Sequence, residues 1–132
     1  MPNAVQLNLK LANEPGTLAK LCRDLADNGI NLLALSAPDI AAKSGPVRLL
    51  VANADLARPK MKLAGYRFTE EEVLFVELKN RPGALAKAME KLARAKINVR
   101  YTYATADIKA QKTAAVIAVD PASLAKAHKL IG

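Results

Sequence analysis

The sequence repeats itself at a fixed offset of 67 residues. Asn-Glu-Pro-Gly-Thr-Leu-Ala-Lys at residues 13–20 returns as Asn-Arg-Pro-Gly-Ala-Leu-Ala-Lys at residues 80–87. The same offset places Ile30-Asn31 on Ile97-Asn98 and Gly65 on Gly132. A register kept over this length without a gap indicates an internal duplication, which decides how the whole chain is interpreted. We therefore predict two copies of one module, residues 1–69 and residues 70–132.

Composition limits the class of protein. Half of the 132 residues is near the lower limit for a self-sufficient core, so two such copies gain stability by packing together. The single cysteine excludes an intrachain disulfide and a cysteine-rich metal site, and it fits a reducing compartment. No signal peptide and no apolar run of about 18 residues are present, so we expect a cytoplasmic protein without a membrane partner.

The formal net charge of +8 raises the question of nucleic acid. No run of basic residues is long enough to act as a binding arm, and dispersed Lys and Arg on helix faces explain the charge more simply. Tyr101 and Tyr103 share a strand face, as base-stacking aromatics do on RNA-binding sheets. Their counterparts in the first copy are Ala34 and Ser36. A basic ferredoxin-like RNA-binding module stays open as the alternative function, although we do not expect nucleic acid as the partner.

The hydrophobic pattern predicts the order β-α-β-β-α-β in the first copy. Residues 5–11 alternate as in a half-buried strand, and Leu18, Leu21, Cys22 and Leu25 fall on one helix face. In the second copy the expected apolar helix face consists of Leu85, Ala88, Met89 and Leu92. Pro59 interrupts the second helical segment, which therefore either begins near Arg58 or is kinked. Residues 66–69 are predicted as a short fourth strand.

This order predicts an α+β fold of two ferredoxin-like βαββαβ modules in tandem. Each would have an antiparallel sheet of order 4-1-3-2 with both helices on one face. Gly132 matches Gly65, after which the first copy continues into its fourth strand, so we expect the second copy to lack this strand. Residues 49–51 and 114–119 are apolar without alternation, which indicates strands buried on both faces.

The Asn-x-Pro-Gly loop is the candidate for chemistry in each copy. It joins a strand to a helix start, where unpaired backbone N–H groups can hold a carboxylate or phosphate. Other candidates are weaker. Cys22 is expected in the core as a small hydrophobic residue. His128 has no second histidine or cysteine partner, so we expect neither catalysis nor a metal site.

The repeated loop, followed by a helix and an Ile-Asn pair before the next strand, resembles the ACT domain family of small amino-acid-sensing modules. The resemblance covers nearly the whole chain as two tandem copies. It implies paired domains, as in a homodimer, and an amino acid held between the loop of one copy and strand two of its neighbour. The ligand-binding residues carried over by position are Asn13, Pro15, Gly16, Asn31, Asn80, Pro82, Gly83 and Asn98.

The same resemblance implies roles for these groups. Backbone N–H groups near Gly16 and Gly83 would bind the ligand carboxylate, and the Asn side chains would accept from its ammonium group. The family most often regulates metabolic enzymes, so the chain looks like a free-standing tandem sensor without catalytic activity or cofactor. It could equally be a small regulatory subunit of an amino-acid biosynthetic enzyme such as acetolactate synthase.

Overall fold

The structure is a computed structural model that describes residues 3–12, 14–38, 46–105 and 109–132. These residues form two compact units. The first unit is Val5–Glu71, and the second unit is Glu72–Gly132 together with residues 3–4. Within the described residues we find six strands and four α-helices, which confirms the α+β class.

The first unit follows the predicted order of elements. Its elements are β1 (Asn3–Leu9), α1 (Thr17–Asp27), β2 (Leu32–Ser36), β3 (Val47–Val51), α2 (Ala54–Leu63) and the first residues of β4 (Thr69–Lys79). β3 lies between β1 and β2 and is antiparallel to both. Asn8 Nδ2 on β1 donates to Glu71 Oε1 on β4 at 3.2 Å. The sheet of the first repeat therefore has the predicted order 4-1-3-2.

The second unit repeats the pattern with three strands of its own. It contains the rest of β4, α3 (Ala84–Arg94), β5 (Val99–Thr105), β6 (Lys112–Val119), a short 3₁₀ turn (Pro121–Ser123) and α4 (Leu124–Ile131). β6 pairs antiparallel with β4 on one side and with β5 on the other. Leu74 stands opposite Ile117 and Lys79 opposite Lys112, so the loop after β4 lies at the end of the sheet where β6 begins.

Each unit has its hydrophobic core between its helices and one face of its sheet. In the first unit, Leu21 and Leu25 of α1 and Met61 of α2 pack on alternate residues of the strands. In the second unit, Leu92 of α3 and Ala127 of α4 do the same. Both helices of a unit therefore cover the same sheet face, as the ferredoxin-like order requires.

Two strands are buried on both faces, as their continuous apolar runs predict. Leu49 and Val51 of β3 belong to the helix-facing core, yet Leu50 between them is also fully buried. In β6, Ile117 faces the helices while Val116 and Ala118 are buried on the opposite face. Loss of alternation thus identified strands that have no solvent-exposed side.

Three local expectations need correction. Cys22 is exposed, although it was expected in the core. It lies about 100° round α1 from Leu21, and the buried stripe centres on Leu21 and Leu25, so the apolar face is narrower than the sequence suggested. Likewise, Leu85 was expected on the buried face of α3 but is 41% exposed. The strand expected at residues 66–69 begins only at Thr69 and continues as β4 to Lys79.

Pro59 lies inside α2, which begins at Ala54 rather than near Arg58. Asn53 caps this helix, since its side chain accepts from Leu56 N at 3.1 Å. The helix is stabilised by its capped start ahead of the proline and by Ala57 and Met61, which are buried on one face. Pro59 removes only the hydrogen bond that an ordinary residue would donate to Asp55 O.

Helices α1 and α3 end in the same backbone motif with different residues. After α1, Ile30 N donates to Leu25 O and Gly29 N donates to Ala26 O, with Gly29 at φ 69°. This is the Schellman arrangement, which requires one residue in the left-handed region. After α3, Lys96 takes the place of Gly29 at φ 59° and keeps the equivalent bonds to the preceding turn.

Candidate functional site

Both copies of the Asn-x-Pro-Gly loop have the same backbone conformation. Gly16 and Gly83 are the residues before α1 and α3, at φ 90° and φ 88°. Each therefore has a left-handed conformation that suits glycine and strains other residues. No neighbouring heavy atom lies within 4 Å of a Cβ built at either glycine, so the backbone at both helix starts faces open space. Pro15 and Pro82, the residues before these glycines, are exposed.

The hydrogen bonds of the loops leave most amides of the first helical turns available. Ala84 N donates to Arg81 O at 3.3 Å, and Lys87 N donates to Gly83 O at 3.0 Å as the first bond of the helix. The intervening amides of α3 have no partner inside the helix, because an α-helix always leaves its first N–H groups unpaired. The start of α3 therefore offers N–H donors and a partial positive charge to a ligand.

The second unit has a pocket at this helix start. Its volume is about 270 Å³, and we call it the second-unit pocket. It is lined by Leu78, Lys79, Asn80, Arg81, Ala84, Leu85, Ala104, Thr105 and Thr113. The end of β4, the loop, the first turn of α3 and the strands β5 and β6 all contribute. No acidic residue lines it, whereas Lys79 and Arg81 both do.

Two polar side chains give the second-unit pocket its character. Asn80 Nδ2 donates to Ala110 O at 2.8 Å and Asn80 N donates to Gln111 O at 2.9 Å, so the loop is fixed to the segment before β6. The hydroxyl of Thr113 is buried and has no hydrogen-bond partner among the described residues. A buried hydroxyl without a partner is unfavourable, so a polar ligand atom at this position would gain from pairing with it.

Asn31 and Asn98 lie far from the loops of their own units. Asn98 precedes Val99, which stands opposite Val119, whereas the loop after β4 follows Lys79, which stands opposite Lys112. Seven steps along β6 separate these points, roughly 24 Å at about 3.4 Å per residue. In the first unit, Asn31 precedes Leu32 opposite Val51, while the end of β1 stands opposite Val47. Neither asparagine joins its own loop in one site.

Beside the corresponding loop of the first unit, the Thr17 side chain makes local hydrogen bonds. Asn13 lies outside the described residues. The Thr17 hydroxyl donates to Ala12 O at 3.0 Å and lies 3.2 Å from Glu14 O, which ties the start of α1 to the loop. In the second unit Ala84, which has no hydroxyl, stands at this position, and Asn80 ties the loop to Ala110 O.

Beside the first loop is a larger cleft, which we call the first-unit cleft. Its volume is about 440 Å³, and it is lined by Lys10, Leu11, Ala12, Thr17, Lys20, Ala64, Gly65, Tyr66 and Arg67. It opens between the start of α1 and the segment that follows α2. Three of these side chains are cationic and none is acidic.

A charged cluster forms one wall of this cleft. Lys20 Nζ and the Tyr66 hydroxyl both donate to Asp24 Oδ2, at 2.8 Å and 2.6 Å, and Lys20 Nζ lies 5.6 Å from the centre of the Tyr66 ring. The hydrogen bond from Lys20, followed by that from Tyr66, lowers the pKa of Asp24. The same pairing raises the pKa of Lys20, and burial together with Asp24 raises the pKa of Tyr66.

Sequence reasoning missed part of each lining. Of the motif residues it selected in the second unit, Asn80 lines the pocket and Pro82 and Gly83 do not. It did not select Arg81, Thr105 or Thr113, which do line it. One signal was present: Thr113 is a polar residue at the start of the otherwise apolar run of β6. Tyr101 and Tyr103 share a strand face, as predicted, but they are half-buried opposite the buried Ala118 and Val116.

Metal sites and membrane spans are absent from the part of the chain that the structure describes. No group of three or more His, Cys, Asp or Glu side chains there could hold a metal ion. No helix among the same residues has both the length and the apolar character to cross a membrane.

Solved structures share this fold. A crystal structure of a protein from Bacteroides thetaiotaomicron matches with a TM-score of 0.83 at 29% identity, covering 97% of this chain and 85% of that chain. The regulatory subunit of aspartate kinase from Thermus flavus matches with a TM-score of 0.63 at 17% identity, over 98% and 90% of the two chains. The regulatory subunit of aspartate kinase from Thermus thermophilus, in its ligand-free form, matches with a TM-score of 0.60 at 16% identity. The match covers 98% of this chain and 91% of that chain.

Comparison by sequence gives the family. No curated protein matches the chain. The family model described as an ACT domain pair matches residues 3–130. This match takes in both copies of the repeated loop and both compact units. Because it spans almost all of the 132 residues, the chain belongs to the ACT domain pair family.

Proposed function

We propose that this ACT domain pair is a non-catalytic regulatory module that binds a small amino acid in the second-unit pocket. The observation that carries the proposal is the convergence at one pocket of a helix start, a cationic side chain and a buried hydroxyl without a partner among the described residues. Two of these features favour a carboxylate, and the third favours a second polar group on the ligand.

The carboxylate of the ligand would bind at the start of α3. Unpaired N–H groups of the first turn donate to it, and the left-handed Gly83 leaves the backbone open to close approach. Arg81 lines the same pocket and supplies a guanidinium whose planar donors match a carboxylate. Asn80, held by Ala110 O, keeps the loop in this position.

The size of the pocket limits the ligand. Its 270 Å³ is close to the lower end of the roughly 300–1,000 Å³ of small-molecule pockets. Leu78, Leu85 and Ala104 provide an apolar wall for a short side chain, and Thr113 provides one buried hydrogen-bonding group. A small amino acid fits these limits better than a nucleotide does.

We propose that the other predicted site residues belong to further ligand sites. Asn13, Pro15 and Gly16 would form the equivalent loop site of the first repeat. Since Asn31 and Asn98 lie at the far ends of their own units, we propose that they contribute to a site completed by a second copy of the chain. We therefore propose a homodimer in the cytoplasm.

The protein that this module regulates would be an amino-acid biosynthetic enzyme. The sequence resemblance suggests acetolactate synthase, and the names of similar solved structures add aspartate kinase. Association with either purified enzyme, measured with and without the bound amino acid, separates the two.

Titration calorimetry of the full chain against each of the twenty amino acids tests the binding proposal. We expect saturable heat, and a rise in melting temperature at millimolar concentration, for one small amino acid or a closely related group. Absence of heat and of any melting shift for all twenty would refute it.

Two matched threonine variants test the pocket itself. Thr113→Val removes the buried hydroxyl and keeps the shape of the side chain, so we expect stability that is unchanged or slightly higher, and about tenfold weaker binding. Thr102→Val removes a hydroxyl that donates to Val116 O at 2.8 Å, outside the pocket. It should cost about 1 kcal/mol of stability and leave the affinity unchanged. Equal affinities in the two variants would place the ligand elsewhere.

A further inference from the structure

We propose that the first-unit cleft binds a small phosphate monoester. This site differs in place and in ligand chemistry from the amino-acid site of the second unit, and it does not depend on that proposal. The argument rests on the charge, the arrangement and the volume of the cleft.

The charge of the cleft is strongly positive. Lys10, Lys20 and Arg67 line it, and among the described residues neither Lys10 nor Arg67 has an ion-pair partner. Asp24 pairs with Lys20 from the side and cancels one charge. Two positive charges remain, which matches the charge of about −1.5 to −2 of a phosphate monoester at neutral pH.

The acidic side chain three residues after Arg67 is occupied by another partner. Arg58 holds Glu70 with two bonds, from Nη2 to Oε1 at 2.7 Å and from Nε to Oε2 at 2.8 Å. This pair lowers the pKa of Glu70 and fixes its charge on Arg58. Glu70 therefore does not neutralise Arg67, which remains available to an anionic ligand.

One cationic group of the cleft, the Lys20 ammonium, is fixed before any ligand arrives. Lys20 is held by Asp24 at 2.8 Å and lies against the Tyr66 ring, so its ammonium loses less freedom on binding. On the opposite side, Gly65 has φ 90° and no heavy atom within 4 Å of an added Cβ, so a ligand can approach the backbone there. Arg67 follows two residues later with a guanidinium suited to phosphate.

The repeat provides an internal comparison. At the offset of 67 residues, Lys10 corresponds to Glu77, which lies 3.9 Å from Lys112 in the second unit. The positive charge at this position is therefore reversed between the copies. The second-unit pocket is also lined by two cations, Lys79 and Arg81, but they stand at other positions of the repeat. The combination of Lys10, Lys20 and Arg67 is therefore particular to the first unit.

The volume indicates a ligand larger than a free ion. At about 440 Å³ the cleft lies within the range of small-molecule sites, with room for an organic body attached to the phosphate. The Tyr66 ring and Leu11 supply apolar surface for that body. The chemistry recognised is a phosphate dianion on a small organic group.

Calorimetry of the full chain with adenosine 5′-monophosphate, and with adenosine as the matched control, tests this proposal. We expect saturable binding of the monophosphate that weakens as salt rises, because partly exposed charges are screened within about 10 Å at 0.1 M salt. Adenosine alone should bind at least tenfold more weakly. Equal binding of both compounds, or no binding of the monophosphate, would overturn the proposal.

Variants locate the site. Lys10→Glu installs the residue of the second repeat, and Arg67→Gln removes the second uncompensated charge; each should weaken binding tenfold or more. Lys87→Gln is the control, since this exposed residue is the counterpart of Lys20 in the other unit. Equal loss in all three variants would show general attraction to a basic protein and refute a built site.

Two further measurements distinguish the phosphate site from the amino-acid site and from an RNA-binding surface. Amino-acid binding in Lys10→Glu should equal that of the unmodified chain, so failure of either proposal can be recognised without the other. A labelled single-stranded RNA that binds in a Lys10-dependent manner, while the free monophosphate does not, would assign the cleft to RNA and overturn the small-molecule proposal.

Discussion

Lys96 in the left-handed conformation offers a quantitative test of the repeat. Gly29 and Lys96 occupy equivalent positions after α1 and α3, at φ 69° and φ 59°, and both donate to the preceding turn. The left-handed region costs a residue with a Cβ about 1–2 kcal/mol. Glycine avoids this cost, but it increases the conformational entropy of the unfolded chain. This entropy lowers the free energy of unfolding by roughly 0.5–1 kcal/mol and so offsets part of the gain. Lys96→Gly should therefore stabilise the protein by about 0.5–1 kcal/mol.

The reverse change completes the comparison. Gly29→Lys introduces the same strain into the first unit and should cost about 0.5–1 kcal/mol. The two positions lie in different compact units and share no partner, so the effects of the double exchange should cancel to within about 0.5 kcal/mol. Lys96 is exposed, so its side chain contributes little packing that the glycine variant would lose.

Urea unfolding of the four proteins measures these differences. With a slope of about 1–3 kcal/mol per M, the midpoint should rise by roughly 0.2–1 M in Lys96→Gly and fall similarly in Gly29→Lys. Hydrogen exchange of the Ile97 amide, which donates to Leu92 O at 2.9 Å, reports the same change locally. A lower midpoint for Lys96→Gly would refute the assignment of strain to this residue.

Three further outcomes follow from the contacts described above. Asn80→Ala removes the hydrogen bond to Ala110 O and should lower the free energy of unfolding by about 1 kcal/mol. Hydrogen exchange of the backbone amide of residue 80 should become faster, and unchanged exchange would show that this side chain does not hold the loop. Pro59→Ala restores an interior helix bond and should stabilise α2 by roughly 1–3 kcal/mol in urea unfolding, whereas a loss of stability would show that proline is accommodated without cost. The pKa of Asp24 is lowered by Lys20 and Tyr66, so its contribution is present above about pH 4 and is lost as pH falls through the lower folded value. Asp24→Asn should therefore flatten the acid side of a plot of melting temperature against pH, and two superimposable acid limbs would contradict this.

Much of the fold could be predicted because the same pattern of strands and helices occurs twice in the sequence. An uncertain strand or helix in one copy had a counterpart 67 residues away, and the predicted strand order and helix face are found in the structure. Cys22 shows the limit of such patterns. Its place in a helical repeat of apolar residues could not reveal that the contact with the sheet is narrow enough to leave it exposed.

The pockets were less predictable because they combine residues from strands that are distant in sequence. The motif identified the loop around Gly83, but Thr113 reaches the same pocket only through the pairing of β6 with β4. Similarly, Lys10 and Arg67 meet at one cleft because α2 ends beside the start of α1. Asn31 and Asn98 were chosen by resemblance, and strand direction places them at the opposite ends of their units.

The bond that holds the second loop joins residues that are distant in sequence, and this affects how the second copy can change during evolution. The bonds of Thr17 in the first unit join it only to neighbours within five residues. Asn80 secures the second loop through the backbone thirty positions downstream. Drift in that distant hairpin is therefore transmitted to the second loop, so the pocket beside it can acquire a new preference without any substitution in the repeated motif.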